Sequence, residues 1–230
     1  MSLQSILVVA AAVLSVASAT HAATFTASSF DNGWYNGASH SPLNTNVITG
    51  YLNKSEYRSF YAFDLAAALG QTVTSATMTF TPNNGSYSSR DRTETVGLFD
   101  VSTPVASLLG GTAGASGFTD LGTGNSYGSS VYARSQNETM RAFSIVLTGA
   151  ALTDMTALLK GSTSQFVIGA ALQSLSGQRD QFLWGSSFST PAASLTFEAI
   201  PAAVPLPAAF PLLLLAIGGL GLAARRRKAT

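Results

Sequence analysis

Short apolar runs, many of them alternating with polar residues, recur between Gly, Asn and Pro positions through residues 23–203. In the clearest case Met78 and Phe80 alternate with Thr77 and Thr79, as expected for a strand with one buried face. Runs of this length and punctuation are typical of β-strands. We therefore predict ten strands, near 24–30, 47–52, 56–64, 72–81, 93–101, 129–135, 139–148, 165–173, 180–187 and 193–200.

Helical periodicity is confined to two short segments. One apolar face with spacing i, i+4, i+7 and i+8 predicts a helix that ends at Gly161 and carries Ala151, Met155, Leu158 and Leu159. Val105 to Leu109 is expected to form one helical turn, and the Gly-rich segment 110–128 a long surface loop. Many strands and few helices predict an all-β fold, an antiparallel, jelly-roll-like β-sandwich spanning 23–203.

Each end of the chain contains a hydrophobic segment. Residues 6–14 are an apolar run followed by small residues, which predicts a signal helix in a signal peptide spanning 1–22. Cleavage is expected after Ala19 or after Ala22. Residues 208–224 hold no charge, and 17 helical residues span about 25 Å, somewhat less than a ~30 Å hydrocarbon core. This segment predicts a C-terminal transmembrane helix. The basic cluster behind it predicts a cytoplasmic C-terminus: Arg225, Arg226, Arg227 and Lys228.

A sorting motif stands immediately before this apolar run and is composed of Val204, Pro205, Leu206, Pro207 and Ala208. Motif, short apolar helix and basic tail in this order resemble the VPLPA variant of the PEP-CTERM sorting signal, over 204–228. The resemblance implies a Gram-negative bacterium whose exosortase-type membrane transpeptidase cuts near the motif. It also implies association with extracellular polysaccharide or biofilm, and a membrane anchor that is only transient.

A second resemblance covers about 25 residues of the body. The segments 56–65 and 73–78 contain R-S-F-x-x-F-D-L followed by V-T-S-A-T. They resemble the DNRLRE-type, carbohydrate-binding-module-like β-sandwich of exported bacterial proteins. This likeness implies a sandwich fold, and it assigns no sugar.

Composition excludes several classes of chemistry. The chain has no Cys and two His, which removes thiol catalysis, disulfides and the usual zinc sites. Four of its 12 basic residues lie in the C-terminal cluster, so the rest of the chain has eight basic and 11 acidic residues. A body with a charge of about −3 is not expected to bind nucleic acid.

Candidate catalytic motifs are weak. Residues 124–128 match GxSxG, but they lie in an expected loop, and the body's single His, His40, precedes them. Carboxylate pairs such as Asp91 with Glu94, or Glu94 with Asp100, would suit a glycosidase. The alternative is surface ion pairs with neighbouring arginines, as for Arg179 with Asp180. We predict no catalytic residues, no enzyme activity and no cofactor.

Aromatic residues offer the better signal for binding. Trp34 and Tyr35 stand among Asp, Asn and Gly in a loop-like setting, which suits stacking on a sugar ring. Tyr127 and Trp184 are alternatives, and each of these aromatics could instead be a core residue. Oxygen ligands for Ca²⁺ are conceivable at Asp31, Asn32 and Asp120, without an EF-hand loop, and we predict no metal site.

These observations predict an exported protein with three segments, 1–22, 23–203 and 204–230. Signal peptidase, the sorting transpeptidase and, through the C-terminal helix, the membrane are its expected partners. A structural or adhesive role at the cell surface or in the extracellular matrix is the first hypothesis. A carbohydrate-binding module contacting exopolysaccharide through Trp34 and Tyr35 is the second, and a two-carboxylate glycosidase is the third.

Overall fold

Eleven β-strands account for most of the regular structure in the part of the chain that the structure describes. The structure is a computed structural model, and it describes residues 21–37, 39–80, 87–139, 141–186 and 192–202. Its strands are β1 Ala23–Tyr35, β2 Val47–Leu52, β3 Ser55–Asp64, β4 Gln71–Phe80, β5 Tyr87–Ser88, β6 Thr93–Phe99, β7 Ser126–Ala133, β8 Phe143–Val146, β9 Gln165–Leu172, β10 Gln181–Ser186 and β11 Ala193–Pro201. Each predicted strand has a counterpart, and β5 is additional.

Among the described residues, four α-helices lie between these strands. They are α1 Val105–Leu109, α2 Gly114–Asp120, α3 Arg134–Glu138 and α4 Gly149–Lys160, and a 3₁₀ turn covers Ala66–Ala68. The predicted helix α4 is confirmed, with Ala151, Met155 and Leu159 buried. The expectation of one long loop over 110–128 is wrong, because α2 forms within it and β7 begins at Ser126. The predicted strand over 139–148 is shorter than expected, because β8 covers only Phe143–Val146, and α3 takes the last two residues of the strand predicted over 129–135.

The strands form two antiparallel groups that share β1. Residues 23–28 of β1 pair with β11, and the neighbouring order continues to β4 and β8. From Ser29 onwards β1 pairs with β3, with an irregularity in register between Ser29 and Asp31. On its other side β3 pairs with β9, which pairs with β6, and β6 pairs with β7. A two-residue turn joins β3 to β2, with Asn53 and Lys54 both at positive φ. β10 and β5 extend this edge.

The main core lies between the two groups. Alternate residues of β4, β8 and β11 meet alternate residues of β3, β6 and β9: Met78, Phe80, Ile145, Leu195, Tyr61, Phe63, Leu98 and Ile168. The described residues therefore form an all-β, sandwich-like body. No helix among them is long and apolar enough to cross a membrane. The predicted sorting tail lies outside the described residues, as does the predicted signal peptide apart from residues 21 and 22.

A second, smaller core covers the outer face of β3 and β9. Phe60 and Ala62 point there, while their neighbours Tyr61 and Phe63 enter the main core. Leu108 of α1 and Leu121 after α2 complete this cluster with Tyr35 and Val167. Because β3 is buried on both faces, its residues 59–63 read as a continuous buried run rather than an alternating one.

Candidate functional site

A cleft of about 550 Å³ opens where four segments meet. The chain after β6, the start of β7, the middle of α4 and the start of β9 each contribute a wall. Its described lining is Asp100, Val101, Ser102, Thr103, Pro104, Val105, Asn125, Tyr127, Asp154, Leu158, Thr163, Gln165, Phe166 and Val167. The volume falls within the range of small-molecule pockets.

Tyr127 fixes one side of the cleft. Its ring is 2% exposed and stacks on Phe166, with 5.7 Å between ring centroids. Its hydroxyl donates to Asp154 Oδ2 at 2.8 Å. Burial, reinforced by this carboxylate, raises the pKa of Tyr127 well above its usual value, so the phenol remains a donor. Thr148 ties the start of α4 to β7, because its N–H donates to the Tyr127 carbonyl at 3.0 Å.

Asp100 and Asn125 fix another part of the lining by pairing with each other. The Asn125 backbone N–H donates to Asp100 Oδ1 at 2.7 Å, and Asn125 Nδ2 donates to Oδ2 at 3.2 Å. The Asp100 N–H returns a bond to the Asn125 carbonyl at 3.1 Å. The carboxylate is therefore held in place by the chain that leads into β7.

The charge of the cleft is one-sided. Two carboxylates stand among its described lining residues, which include no Lys, Arg or His. Hydroxyl and amide groups from Ser102, Thr103 and Gln165 lie beside apolar surface from Val105 and Leu158. Polar groups beside apolar surface suit a polyhydroxylated ligand.

Asp120 organises the wall that this cleft shares with a neighbouring one of about 430 Å³. It accepts from the Ser102 hydroxyl at 2.9 Å and from the Thr103 N–H and hydroxyl at 2.7 Å each. Asn32, which the sequence offered as an oxygen ligand for calcium, already makes two side-chain hydrogen bonds. The Ser29 hydroxyl donates to its Oδ1, and its amide nitrogen donates to the Thr45 carbonyl. Across the described part of the chain, no three His, Asp or Glu side chains gather as a metal site.

Trp34 and Tyr35 lie in a strand, so the expectation of a loop setting is wrong. Pairing of β1 with β3 carries the strand through this Asn- and Gly-containing segment. Tyr35 is fully buried in the second core and donates to the Leu108 carbonyl at 2.7 Å, which leaves it unavailable to a surface ligand. Trp34 is half-buried and packs edge-on against Tyr57, with 5.0 Å between centroids. A ligand contact at Trp34 stays a prediction.

Trp184 is a core residue. It stacks on Phe80 at 4.7 Å between ring centroids and is 1% exposed. Its backbone φ of 57° lies in the left-handed region, next to the irregularity in the pairing of β10 with β2. Such a conformation costs about 1–3 kcal/mol in a non-Gly residue. The packing of its indole ring therefore outweighs local strain.

Glu94 is buried, and this removes it from both of the carboxylate pairs considered for a glycosidase. It is 1% exposed, while Asp91 is exposed and Asp100 faces the cleft. Glu94 Oε2 accepts from Ser174 and, at 2.9 Å, from Gln181 Nε2. Its other oxygen has no hydrogen-bond partner among the described residues, and the same holds for the buried Tyr132 hydroxyl and Trp184 Nε1. The expected ion pairs of these acids with neighbouring arginines do not form, since Arg58 with Glu56 is the one pair between described residues.

The GxSxG segment runs into a strand rather than a strand-to-helix elbow, because β7 begins at its central Ser126. His40 lies elsewhere, with its ring nitrogen against the Trp34 carbonyl and its ring beside Phe60. Two residues of the same segment, Asn125 and Tyr127, nevertheless line the cleft. Tyr127 was one of the alternative binding aromatics, while the cleft itself has no sequence signal because its walls come from four separate segments.

Neither protein-family models nor curated proteins match this chain.

Proposed function

We propose that this chain is an exported β-sandwich protein of the cell surface or extracellular matrix with a structural or adhesive role. In this proposal signal peptidase removes 1–22, and an exosortase-type transpeptidase processes the chain near Val204–Ala208 while a helix in 204–230 holds it in the membrane. The finer fold belongs to the same proposal: a jelly-roll-like sandwich between two terminal helices. The sharing of β1 by both strand groups supports that architecture.

The order of the three parts of the tail carries this proposal. The motif 204–208, the uncharged run 208–224 and the basic cluster 225–228 follow one another without interruption. Each part has a separate physical role: recognition, membrane insertion and stop-transfer.

The experiment changes the motif without changing the hydrophobic run. Pro205→Ala combined with Pro207→Ala should block processing, so that the mature protein keeps its basic tail in the membrane fraction. Pro211→Ala is the matched control, because it removes a proline of the same tail outside the motif and should leave processing intact. Normal processing of the double variant, read by intact mass after cell fractionation, would contradict the proposed sorting.

Carbohydrate binding is a second candidate function, favoured by the cleft. Its mixed polar and apolar lining and its volume suit a saccharide unit. A saccharide array on the purified protein tests this candidate, with Asp154→Asn and Trp34→Ala separating the cleft from the Trp34 surface. A loss of binding only in Trp34→Ala would move the contact to that tryptophan, and silence on every glycan would remove the candidate.

A further inference from the structure

The cleft combines fixed negative charge with hydroxyl groups. Asp154 is half-buried, and its Oδ2 accepts from the almost fully buried Tyr127 hydroxyl. No hydrogen bond from the described residues reaches its Oδ1. The side chain is therefore held by a rigid partner while one oxygen stays available to a ligand.

An anionic saccharide is a poor match for this surface. Asp100 and Asp154 both line the cleft, and no described lining residue offers a compensating positive charge. A partly desolvated carboxylate attracts a cation more strongly than an exposed one does, because the local dielectric constant is lower. The favoured ligand is thus positively charged or, at least, neutral.

Other groups select for a sugar rather than a simple cation. The apolar surfaces of Val105, Leu158 and Phe166 offer contacts to the C–H groups of a pyranose ring. Ser102 and Thr103 also line the cleft, and because their hydroxyls donate to Asp120, their oxygens can accept from a sugar hydroxyl. A protonated amino group supplies three donors, which matches an acceptor-only carboxylate. Asp100 and Asp154 are the cleft's only carboxylates among the described lining residues, and no group of three His, Asp or Glu side chains that could hold a metal ion occurs in the described part of the chain.

We propose that this cleft binds a cationic amino-sugar unit, of the kind found in a de-N-acetylated polysaccharide, with its ammonium group at Asp154. The inference rests on the carbohydrate-binding candidate and names the ligand class for that site. Asp100 and Asn125 receive the neighbouring hydroxyl groups. Tyr127 acts as a positioning residue, because it reaches the ligand only through the Asp154 carboxylate.

The test is calorimetric titration of the purified full-length protein with three hexasaccharides. They are glucosamine, N-acetylglucosamine and glucose oligomers of equal length, so that charge changes while ring and linkage are kept similar. We expect the glucosamine oligomer to bind at least about tenfold more tightly than either neutral one. We expect Asp154→Asn to weaken that binding roughly ten- to hundredfold, as for loss of a charged hydrogen bond. Tyr127→Phe should weaken it less and raise its salt dependence, since a less rigid carboxylate is better solvated.

Glu138→Gln is the matched control, because it removes one negative charge at an exposed position outside the cleft. It should leave affinity unchanged. An equal loss in Asp154→Asn and Glu138→Gln would overturn the site in favour of non-specific attraction. Equal binding of all three oligomers would overturn the charge preference while leaving carbohydrate binding intact. Failure of every oligomer to bind would overturn the inference and the candidate function together.

Discussion

Gly50 holds two strands closer together than any other residue type would permit. It pairs with Tyr57 of β3 on one side and with Phe182 of β10 on the other. Its φ is +129°, and a Cβ built on it would stand 2.3 Å from the Gln181 carbonyl oxygen and 2.7 Å from Phe182 Cα. Both neighbours are backbone atoms, which cannot rotate away as a side-chain end would. Gly50→Ala therefore has to separate β2 from β10.

The cost of this substitution has two parts. The backbone conformation alone costs about 1–3 kcal/mol in a non-Gly residue. Overpacking in a well-packed interior adds about 1–3 kcal/mol. We therefore expect Gly50→Ala to lower the free energy of unfolding by about 2–6 kcal/mol, a large share of the about 5–15 kcal/mol typical of a folded domain.

Gly70→Ala separates the two contributions. Gly70 has a φ of +77°, but no heavy atom lies within 4 Å of the added Cβ. It should lose only the backbone part, about 1–3 kcal/mol, without the cost of overpacking. Urea denaturation gives both values from the shift in midpoint at unchanged slope. A Gly50→Ala variant within about 0.5 kcal/mol of Gly70→Ala would refute the described approach of β2 and β10.

Three further predictions concern the cores and the wall of the cleft. Leu108→Ala, which empties part of the second core, should cost about 2–5 kcal/mol in urea denaturation, whereas Leu43→Ala at a site 96% exposed should cost almost nothing; equal effects would contradict that core. Burial raises the pKa of Tyr132 from 10.0 to about 12, so its contribution to stability is complete below pH 10 and is lost as pH rises to about 12. Tyr132→Phe should flatten this alkaline loss, and an unchanged pH profile of the urea midpoint would contradict it. Asp120→Ala should lower the free energy of unfolding by about 1–2 kcal/mol, because the hydrogen bonds from Ser102 and Thr103 are lost. A variant of unchanged stability would show that other contacts hold this wall of the cleft.

The strands could be predicted because their apolar runs and the punctuation between them are local properties. Residues 77–80 alternate in sequence, and Met78 and Phe80 are buried while Thr77 and Thr79 are not. The helix α4 can also be predicted from the sequence, because its apolar positions repeat at helical spacing and Gly161 follows. Local periodicity thus specified element type over much of the body.

Elements stabilised by distant contacts could not be predicted. α2 is rich in Gly and has weak helical propensity. It forms because residues of this segment pack on the second core, over the outer face of β3 and β9. The segment containing Trp34 looks like a loop by composition, yet pairing with β3 overrides that preference. The cleft brings together Asp100, Asn125 and Asp154 from separate segments of the chain, so no spacing in the sequence predicts it.

The most direct test of the proposed export and sorting is the intact mass and location of the mature protein in its own host. The account predicts a mass corresponding to residues from about 23 to about 204, with or without an added group, at the cell surface or in the medium. A mass that retains Arg225–Lys228, found in the membrane fraction, would contradict it and would indicate a permanently anchored protein with a single span.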